Sequence, residues 1–343
     1  MIADPAEVQK LVEKGKAVVV DNSILKTPAN CHTLAFVEHA MHVRPRSLSL
    51  PLHMGSCAHE ALATWLVNDR TEAAFKAGMS VFEQTYLPIW KEAVKVCTDN
   101  GDSIDYRMQY QRCAAILAQW MTAREGDKFA FKVFKDKTER VLVAPMGLSL
   151  KDGREVYYSA RLDAQVRKAD SGAKWSMDHK TTTSASVWWV GKQKVASQFS
   201  GQIWLGREAG EEMVGVVVNA IEFPKPHTSE NKCAVHKLPY IECSVRHAGG
   251  TYVYATRTDP ELQAWHFTAK KKVREMERLW KLAKEKGWDA LSKVQMQGRF
   301  NEGCTFCAEK TWCDAGRPVN AGVLKATFET YEWNPIKEVE SYE

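Results

Sequence analysis

The sequence predicts an α/β protein: a mixed central β-sheet flanked by helices, with a helical insertion ahead of the sheet and a cysteine clasp after it. Three observations predict this. Between residues 129 and 180, extended apolar runs alternate with the turn signals Asp152-Gly153 and Ser171-Gly172, as strands require. Ahead of that stretch, from 55 to about 124, apolar residues recur at helical spacing. After it come a helix, further strands and a second long helix, an order that interleaves the two kinds of element.

Asp4 and Pro5 predict a helix start, as cap and first-turn residue, with a helix over 5–14. Val18-Val19-Val20 reads as a short extended segment. Residues 55–67 place Ala58, Leu62, Trp65 and Leu66 on one helical face, and two more helices are expected near 71–96 and 103–124. Strands are expected at 129–135, 139–149, 154–167 and 174–180, then a helix over 186–208 and a buried strand over 214–221. A polar loop at 224–234 precedes strands near 239–246 and 251–256, which flank the turn at 247–250. Asp259-Pro260 opens a long helix with Leu262, Trp265, Ala269, Val273, Met276, Trp280 and Ala283 along one face. These elements predict a single domain over 1–325. It comprises a helical insertion at about 68–125, a core at about 126–256, and a C-terminal helix with cysteine loop at about 257–315. An acidic tail at 326–343 follows.

Composition excludes several classes. With 45% hydrophobic and 26% charged residues, the chain is an ordinary globular one with enough length for a buried core. No apolar run approaches the roughly 18–20 residues that span a bilayer, and no secretory signal begins the chain, so a cytoplasmic protein without a membrane partner is expected. A net charge of +5 permits a polyanionic partner without requiring one. Nine cysteines, an odd number, argue against a disulfide scaffold. Five of them, Cys57, Cys97, Cys113, Cys233 and Cys243, stand alone, whereas Cys304, Cys307 and Cys313 share one loop at C-x2-C-x5-C spacing. Three thiolates there can converge on an iron–sulfur cluster or on zinc, and either centre needs a fourth ligand from elsewhere in the chain.

The acidic residues carry a second signal. Asp163 ends the run Ala-Arg-Leu-Asp, and Asp178 and Lys180 sit in Met-Asp-His-Lys-Thr-Thr. On a strand, alternate residues share a face, so Asp178 and Lys180 point one way and His179 the other. Asp163 reaches that face from the neighbouring strand. Two hard carboxylates at one point suit Mg²⁺ or Mn²⁺, and an adjacent lysine can orient a metal-bound water. Asp178 and Lys180 are expected to carry little packing. His59 offers a nitrogen ligand, and Gln198 and Gln202 lie one turn apart on the helix after the Asp-x-Lys strand, where a glutamine can bridge the lysine region and a DNA phosphate and Gln202 is a candidate nucleic-acid contact. A structural reading competes for each residue: a surface ion pair, a helix histidine, a solvated glutamine. The basic stripe Lys270, Lys271, Lys272 and Arg274 suits a DNA path or a solvated helix face. Trp188-Trp189 suits stacking on bases or burial in the core.

In their order, His59, Asp163, Asp178-x-Lys180 and Gln198 resemble the motifs of PD-(D/E)XK nucleases of the RecB-like exonuclease group. The cysteine loop resembles that group's iron–sulfur branch, which includes CRISPR-associated RecB-like exonucleases, the AddB nuclease domain and phage exonucleases. The resemblance covers roughly residues 20–315. It implies a restriction-endonuclease-like core and Mg²⁺- or Mn²⁺-dependent hydrolysis of DNA from free ends. It implies Asp163, Asp178 and His59 as metal ligands, and Lys180 and Gln198 as further catalytic residues. It also implies a [4Fe–4S] cluster held by Cys31, Cys304, Cys307 and Cys313. Cys57 is the rival to Cys31, and Zn²⁺ the rival occupant. Linear DNA is the expected partner, together with a recombination or repair protein. The group's helix reads Q-x-x-x-Y, whereas Gln202 stands at the tyrosine position here, so that contact does not carry over. The competing functions are an inactive DNA-binding scaffold of the same fold and a zinc-binding interaction protein. Oligomeric state is not legible.

Overall fold

The computed structural model describes residues 1–46, 49–102, 105–125, 129–224, 232–233, 237–246, 249–294, 304, 307, 309–331 and 333–336. Helix α1 (Pro5–Glu13) begins as its residues dictate. The Asp4 carboxylate accepts from the Ala6 amide at 2.8 Å, and Pro5 occupies a first-turn position where no amide hydrogen is needed. Strand β1 (Ala17–Val20) follows. Next come two short helices that the apolar pattern does not reveal, α2 (Asn22–Asn30) and α3 (His32–His39). Neither exceeds nine residues and Pro28 lies inside the first, so no readable stripe forms.

After β2 (Val43–Pro45), three helices form the insertion: α4 (Leu50–Val67), α5 (Glu72–Asn100) and α6 (Tyr110–Thr122). Helix α4 starts at Leu50 rather than 55, because Pro51 is tolerated in a first turn. The Thr71 hydroxyl caps α5, and Gly101 ends it at φ 72°, a left-handed conformation that glycine adopts without strain. The helix expected over 103–124 contracts to α6. Ahead of it the Asp105 carboxylate holds the Arg107 amide and guanidinium in a 3-10 turn.

The strand-rich middle contains β3 (Phe131–Phe134), β4 (Arg140–Ser149), β5 (Glu155–Leu162), β6 (Ala164–Lys168) and β7 (Lys174–Thr182). The strand expected over 154–167 is thus two strands, broken at Asp163. The helix expected over 186–208 is also two, α7 (Val187–Lys194) and α8 (Ser197–Glu208). Arg257 explains that break: its guanidinium collects the carbonyls of Lys194 at 2.8 Å and Ala196 at 3.1 Å, which a continuous helix would have used internally. Strand β8 (Met213–Glu222) comes next.

The segment near 239–246 is not a strand but α9 (Tyr240–Arg246). Buried Arg112 of α6 donates to Ser244 Oγ at 2.8 Å and draws this segment onto the insertion. Strand β9 (Gly249–Thr256) pairs with β8. Most of the loop expected at 224–234, and 247–248 of the expected turn, lie outside the described residues. Helix α10 (Asp259–Lys286) is capped one residue earlier than Asp259, by Thr258 in a capping box with Glu261. Then come α11 (Lys310–Asp314), α12 (Ala321–Thr327) and β10 (Phe328–Thr330).

The acidic tail is not free at its start. Strand β10 pairs antiparallel with β2, Arg44 Nε donates to Glu329 Oε1 at 2.7 Å, and Ile336 is buried with Val8, Val19 and Val143. Glu332, Glu338, Glu340 and Glu343 lie outside the described residues.

The fold is α/β with mixed sheets flanked by helices. One sheet has the order β3-β6-β7-β8-β9, with β7 and β8 parallel and the other pairs antiparallel. A second has the order β1-β5-β4. The five-stranded sheet lies between two apolar layers. On one side Leu62, Trp65, Phe82, Ile116 and Trp120 of the insertion pack on Phe131, Met177 and Val217. On the other, Phe199, Ile203, Val273 and Met276 pack on Val216 and Val218. Among the described residues, no helix is long and apolar enough to cross a membrane.

Candidate active site and cysteine clasp

Asp163 occupies the single-residue break where the chain leaves one sheet for the other. The β6–β7 register pairs Ala164 with Met177, so one step further Asp163 stands opposite Asp178. The β4–β5 register pairs Arg140 with Leu162, so Asp163 also stands opposite Glu139. Glu139 donates its amide to the Asp163 carbonyl at 3.1 Å and sits at φ 53°, unusual for a residue with a side chain. Three acidic residues are therefore in register at the seam between the sheets, with Asp163 and Asp178 within electrostatic reach of Glu139.

Each is held by named partners. Asp163 Oδ2 accepts from the His179 amide at 2.7 Å, and His59 Nδ1 of α4 lies 3.4 Å away. Asp178 is 1% exposed. Its Oδ1 accepts from Gln198 Nε2 at 2.8 Å and Gln202 Nε2 at 3.2 Å, and its Oδ2 faces Lys180 Nζ at 2.8 Å. Strand alternation sends His179 to the opposite face. There its ring meets His59 at 5.8 Å and Trp120 at 6.5 Å edge-on, and Asn219 Nδ2 approaches its Nδ1 at 2.6 Å.

Burial raises the Asp163 carboxyl above the ordinary aspartate range; His59 and Lys180 oppose that rise, and Asp178 adds to it. Burial lowers the Lys180 ammonium, but Asp178 and Asp163 more than offset this, so its pKa rises and it stays charged. His179 falls well below the usual histidine range through burial and the nearby His59 and Lys180, so it is neutral. Burial, then Asp163, pushes Glu139 up to about 8. Glu60, beside His59, is raised by burial and lies within electrostatic reach of Glu139.

The structure thus brings His59, Asp163, Asp178, Lys180, Gln198 and Gln202 together. It adds Glu139, Glu60 and Asn219, which motif reading misses. The step from Asp163 to Glu139 is visible only once the strand register is known. Gln202 is corrected in one respect. It is 1% exposed and supports the Asp178 carboxylate, so it is no surface contact for a nucleic acid. Asp178 is likewise no lightly packed surface residue. Lys270, Lys271, Lys272 and Arg274 lie on α10, where Arg274 NH1 pairs with Glu277 at 2.8 Å. That helix meets the site through Trp265, whose Nε1 donates to Ser197 Oγ at 3.0 Å, next to Gln198.

The cysteines gather at a separate place. Cys31 caps the N-terminus of α3, and Arg317 NH1, just past Cys313, lies 3.3 Å from Thr33 Oγ1 of that helix. Burial, then Cys31 and Glu309, pushes the Cys313 thiol up to about 11; Cys304 adds to the rise and Arg317 opposes it. Burial, then Glu309, pushes Cys307 up to about 12, and Cys313 contributes. The other three thiols, Cys31, Cys304 and Cys307, are therefore within electrostatic reach of Cys313. Cys57 sits elsewhere, buried in the insertion core with Thr85 as partner. Among the described residues, no three His, Cys, Asp or Glu side chains are already drawn together closely enough to hold a metal ion, at either place.

No family model matches this chain, and no curated protein matches it. Among solved structures the chain is similar to the crystal structure of SSO0001. The identity is 13% and the TM-score 0.32, over 90% of this chain and 93% of that one. A likeness that slight carries no argument about activity, which rests instead on the residues.

Proposed function

We propose that this protein is a metal-dependent DNA exonuclease with a PD-(D/E)XK core and a [4Fe–4S] cluster in its cysteine clasp. The observation that carries the reading is the contact of Lys180 Nζ with Asp178 Oδ2 at 2.8 Å, with Asp163 in register opposite Asp178. A half-buried lysine against a buried carboxylate, with a second carboxylate opposite, is an arrangement that phosphoryl-transfer chemistry uses and that packing alone does not favour.

The donor set fits a hard divalent cation. Glu139, Asp163 and Asp178 share one seam, and burial, then the Asp163 charge, makes Glu139 hold its proton up to about 8. Asp163, Asp178 and His59 would hold Mg²⁺ or Mn²⁺, with Glu139 and Glu60 in reserve. Bound there, the ion would offset charge on the phosphate and acidify an attacking water. Gln198 and Gln202 fix the Asp178 carboxylate, so its second oxygen is presented without reorganisation. Lys180, held charged by Asp178 and Asp163 in the metal-free protein, is placed to donate a hydrogen bond to the water or the phosphate. His179 and Asn219 stiffen the strand from behind.

The clasp donors fit a soft centre. The Cys307 and Cys313 thiols, which burial keeps protonated, release their protons only to a metal that compensates the charge. Cys31, Cys304, Cys307 and Cys313 would hold the cluster, tying the N-terminal helices to the C-terminal segment, and a reducing cytoplasm suits such ligands. Action from free ends is supported by the motif resemblance and by the helical insertion beside the site. The test is degradation of linear and closed-circular DNA with Mn²⁺, alongside anaerobic iron and sulfide analysis. Absence of hydrolysis under every divalent cation would overturn the reading.

A further inference from the structure

Two exposed aromatic side chains are not explained by folding. Of the twelve tryptophans, Trp188 alone is exposed, at 74%. Among the described phenylalanines, Phe267 alone is exposed, at 61%. Leaving either ring in water forfeits burial that a core position would supply. Their neighbours behave ordinarily: Trp189 packs against the main core, and Trp265 meets Tyr158 edge-on and Trp204 at a tilt.

The two rings share a local design. Each has a lysine four residues on, over its face: Lys192 Nζ lies 5.3 Å from the Trp188 ring centroid, and Lys271 Nζ 4.6 Å from that of Phe267. Each is thus an exposed flat π-surface with a cation over one face.

Their placement links them to the acidic site. Trp188 lies in the first turn of α7, which buries none of its residues. Between the end of α7 and the start of α10 opens a cleft of about 470 Å³, lined by Lys194, Val195, Thr256, Arg257, Glu261 and Ala264. Phe267 is one turn beyond Ala264. Arg257 holds this cleft's floor rigid by binding the Lys194 and Ala196 carbonyls and Ser200 Oγ. Immediately past the junction, Gln198 donates to Asp178.

The charge is one-sided. Lys194 lines the cleft, and Lys192 and Lys271 lie over the two rings. Its acidic residues are already engaged: Glu261 accepts from the Thr258 amide and hydroxyl, and Asp259 pairs with Arg207.

We propose that Trp188 and Phe267 are stacking platforms for unpaired bases of a single DNA strand running along the α7–α10 cleft toward the Asp163–Asp178 site. This rests on the nuclease reading for its direction and deepens it by naming a single strand as the form bound. Ring stacking needs an exposed base face, which a strand offers and a closed duplex hides. Lys192, Lys194 and Lys271 contact the phosphates between the stacked bases.

The test is fluorescence anisotropy with a labelled oligothymidine and with a blunt duplex of equal length, in EDTA so that hydrolysis is off. Trp188→Ala and Phe267→Ala each raise the Kd for the single strand about ten-fold, and together about a hundred-fold, while duplex binding is unchanged. Trp188→Phe retains affinity and Trp188→Leu does not, which separates stacking from mere apolar contact. Lys192→Ala lowers the salt slope of single-strand binding by roughly 0.7. Both rings are exposed, so thermal melting of every variant should match the wild type. The proposal is overturned if the double variant binds oligothymidine as the wild type does, or loses single strand and duplex equally. It is also overturned if the rings instead hold two copies of the chain together, seen as a concentration-dependent dimer that the double variant abolishes. Hydrolysis by the wild type, measured separately with Mn²⁺, judges the nuclease reading. Tight ring-dependent binding without hydrolysis would sink that reading alone.

Discussion

Replacing Asp178 by alanine should unfold this protein more readily than its place in a short motif suggests. The carboxylate is 1% exposed and joins three side chains: Gln198 and Gln202 at Oδ1, and Lys180 at Oδ2. Alanine leaves the Lys180 ammonium, whose side chain is 32% exposed, without its main counter-charge and strips two amides of their acceptor. Breaking a fully buried ion pair from one side costs about 3–5 kcal/mol, and water at the exposed part of Lys180 reduces this to about 2–3 kcal/mol, still a large part of the roughly 5–15 kcal/mol that holds a typical domain together. Lys180→Met should cost less, because it removes the cation whose loss the crowded carboxylates feel only through repulsion. The double variant should then be more stable than the sum of the two losses allows, by about 1–3 kcal/mol of coupling. Urea unfolding followed by far-UV circular dichroism at neutral pH, without divalent ions, measures all four corners of this cycle. An alanine variant within about 0.5 kcal/mol of the wild type, or strictly additive losses, would refute the argument that the pair is buried and mutually dependent. Asp178→Asn keeps an acceptor for both glutamines, so it is the better variant for assays of activity.

Between pH 6.5 and 8 the metal-free protein should lose roughly 1–2 kcal/mol of stability, seen as a falling melting temperature. The sign follows from carboxyls raised above their unfolded values, Glu139 to about 8 and Glu38 to about 7, so the folded state holds the extra protons and surrenders them across this window. His39, lowered to about 4 by burial, and His179, also lowered, oppose this loss by about 0.4 kcal/mol each, because the unfolded histidines are still half protonated at about pH 6.5. Mg²⁺ should restore the Glu139 share and leave the Glu38 share lost; a melting temperature that rises with pH would contradict this. Cys31→Ser should bleach the broad absorption of anaerobic protein near about 400 nm and lower the melting temperature, whereas Cys57→Ser should leave the cluster in place. The reverse pattern would reassign the fourth ligand. Covalently closed circles should resist digestion while linear molecules are degraded, and rapid cutting of circles would mark an endonuclease.

How much of this was legible in the sequence depends on the range of the signal. Asp178 and Lys180 share a strand, and period-two alternation alone places them together. Their union with Asp163 follows from a short hairpin whose turn, Ser171-Gly172, is readable. The seam at Asp163 is not readable, because Ala-Arg-Leu-Asp-Ala-Gln-Val alternates without interruption although the chain changes sheets there. Glu139 was hidden for the same reason, since its closeness to Asp163 depends on the β4–β5 register. The helix α9 was misread because Tyr-Ile-Glu-Cys-Ser-Val-Arg carries strand-like residues, while buried Arg112, more than a hundred positions earlier, decides its conformation. The split between α7 and α8 likewise depends on Arg257, some sixty residues away. Local periodicity finds elements that bury their own stripe; it misses those shaped by a distant polar side chain.

The central claim is that the Asp163–Asp178–Lys180 seam hydrolyses DNA with a divalent ion. Its most direct measurement is the release of end label from linear DNA with Mn²⁺ by anaerobically purified wild type, Lys180→Ala and Asp163→Asn, with each variant first shown to be folded and to retain iron. The account predicts degradation by the wild type, none in EDTA, and losses of about a thousand-fold or more in both variants. Undiminished release by either folded variant would contradict it.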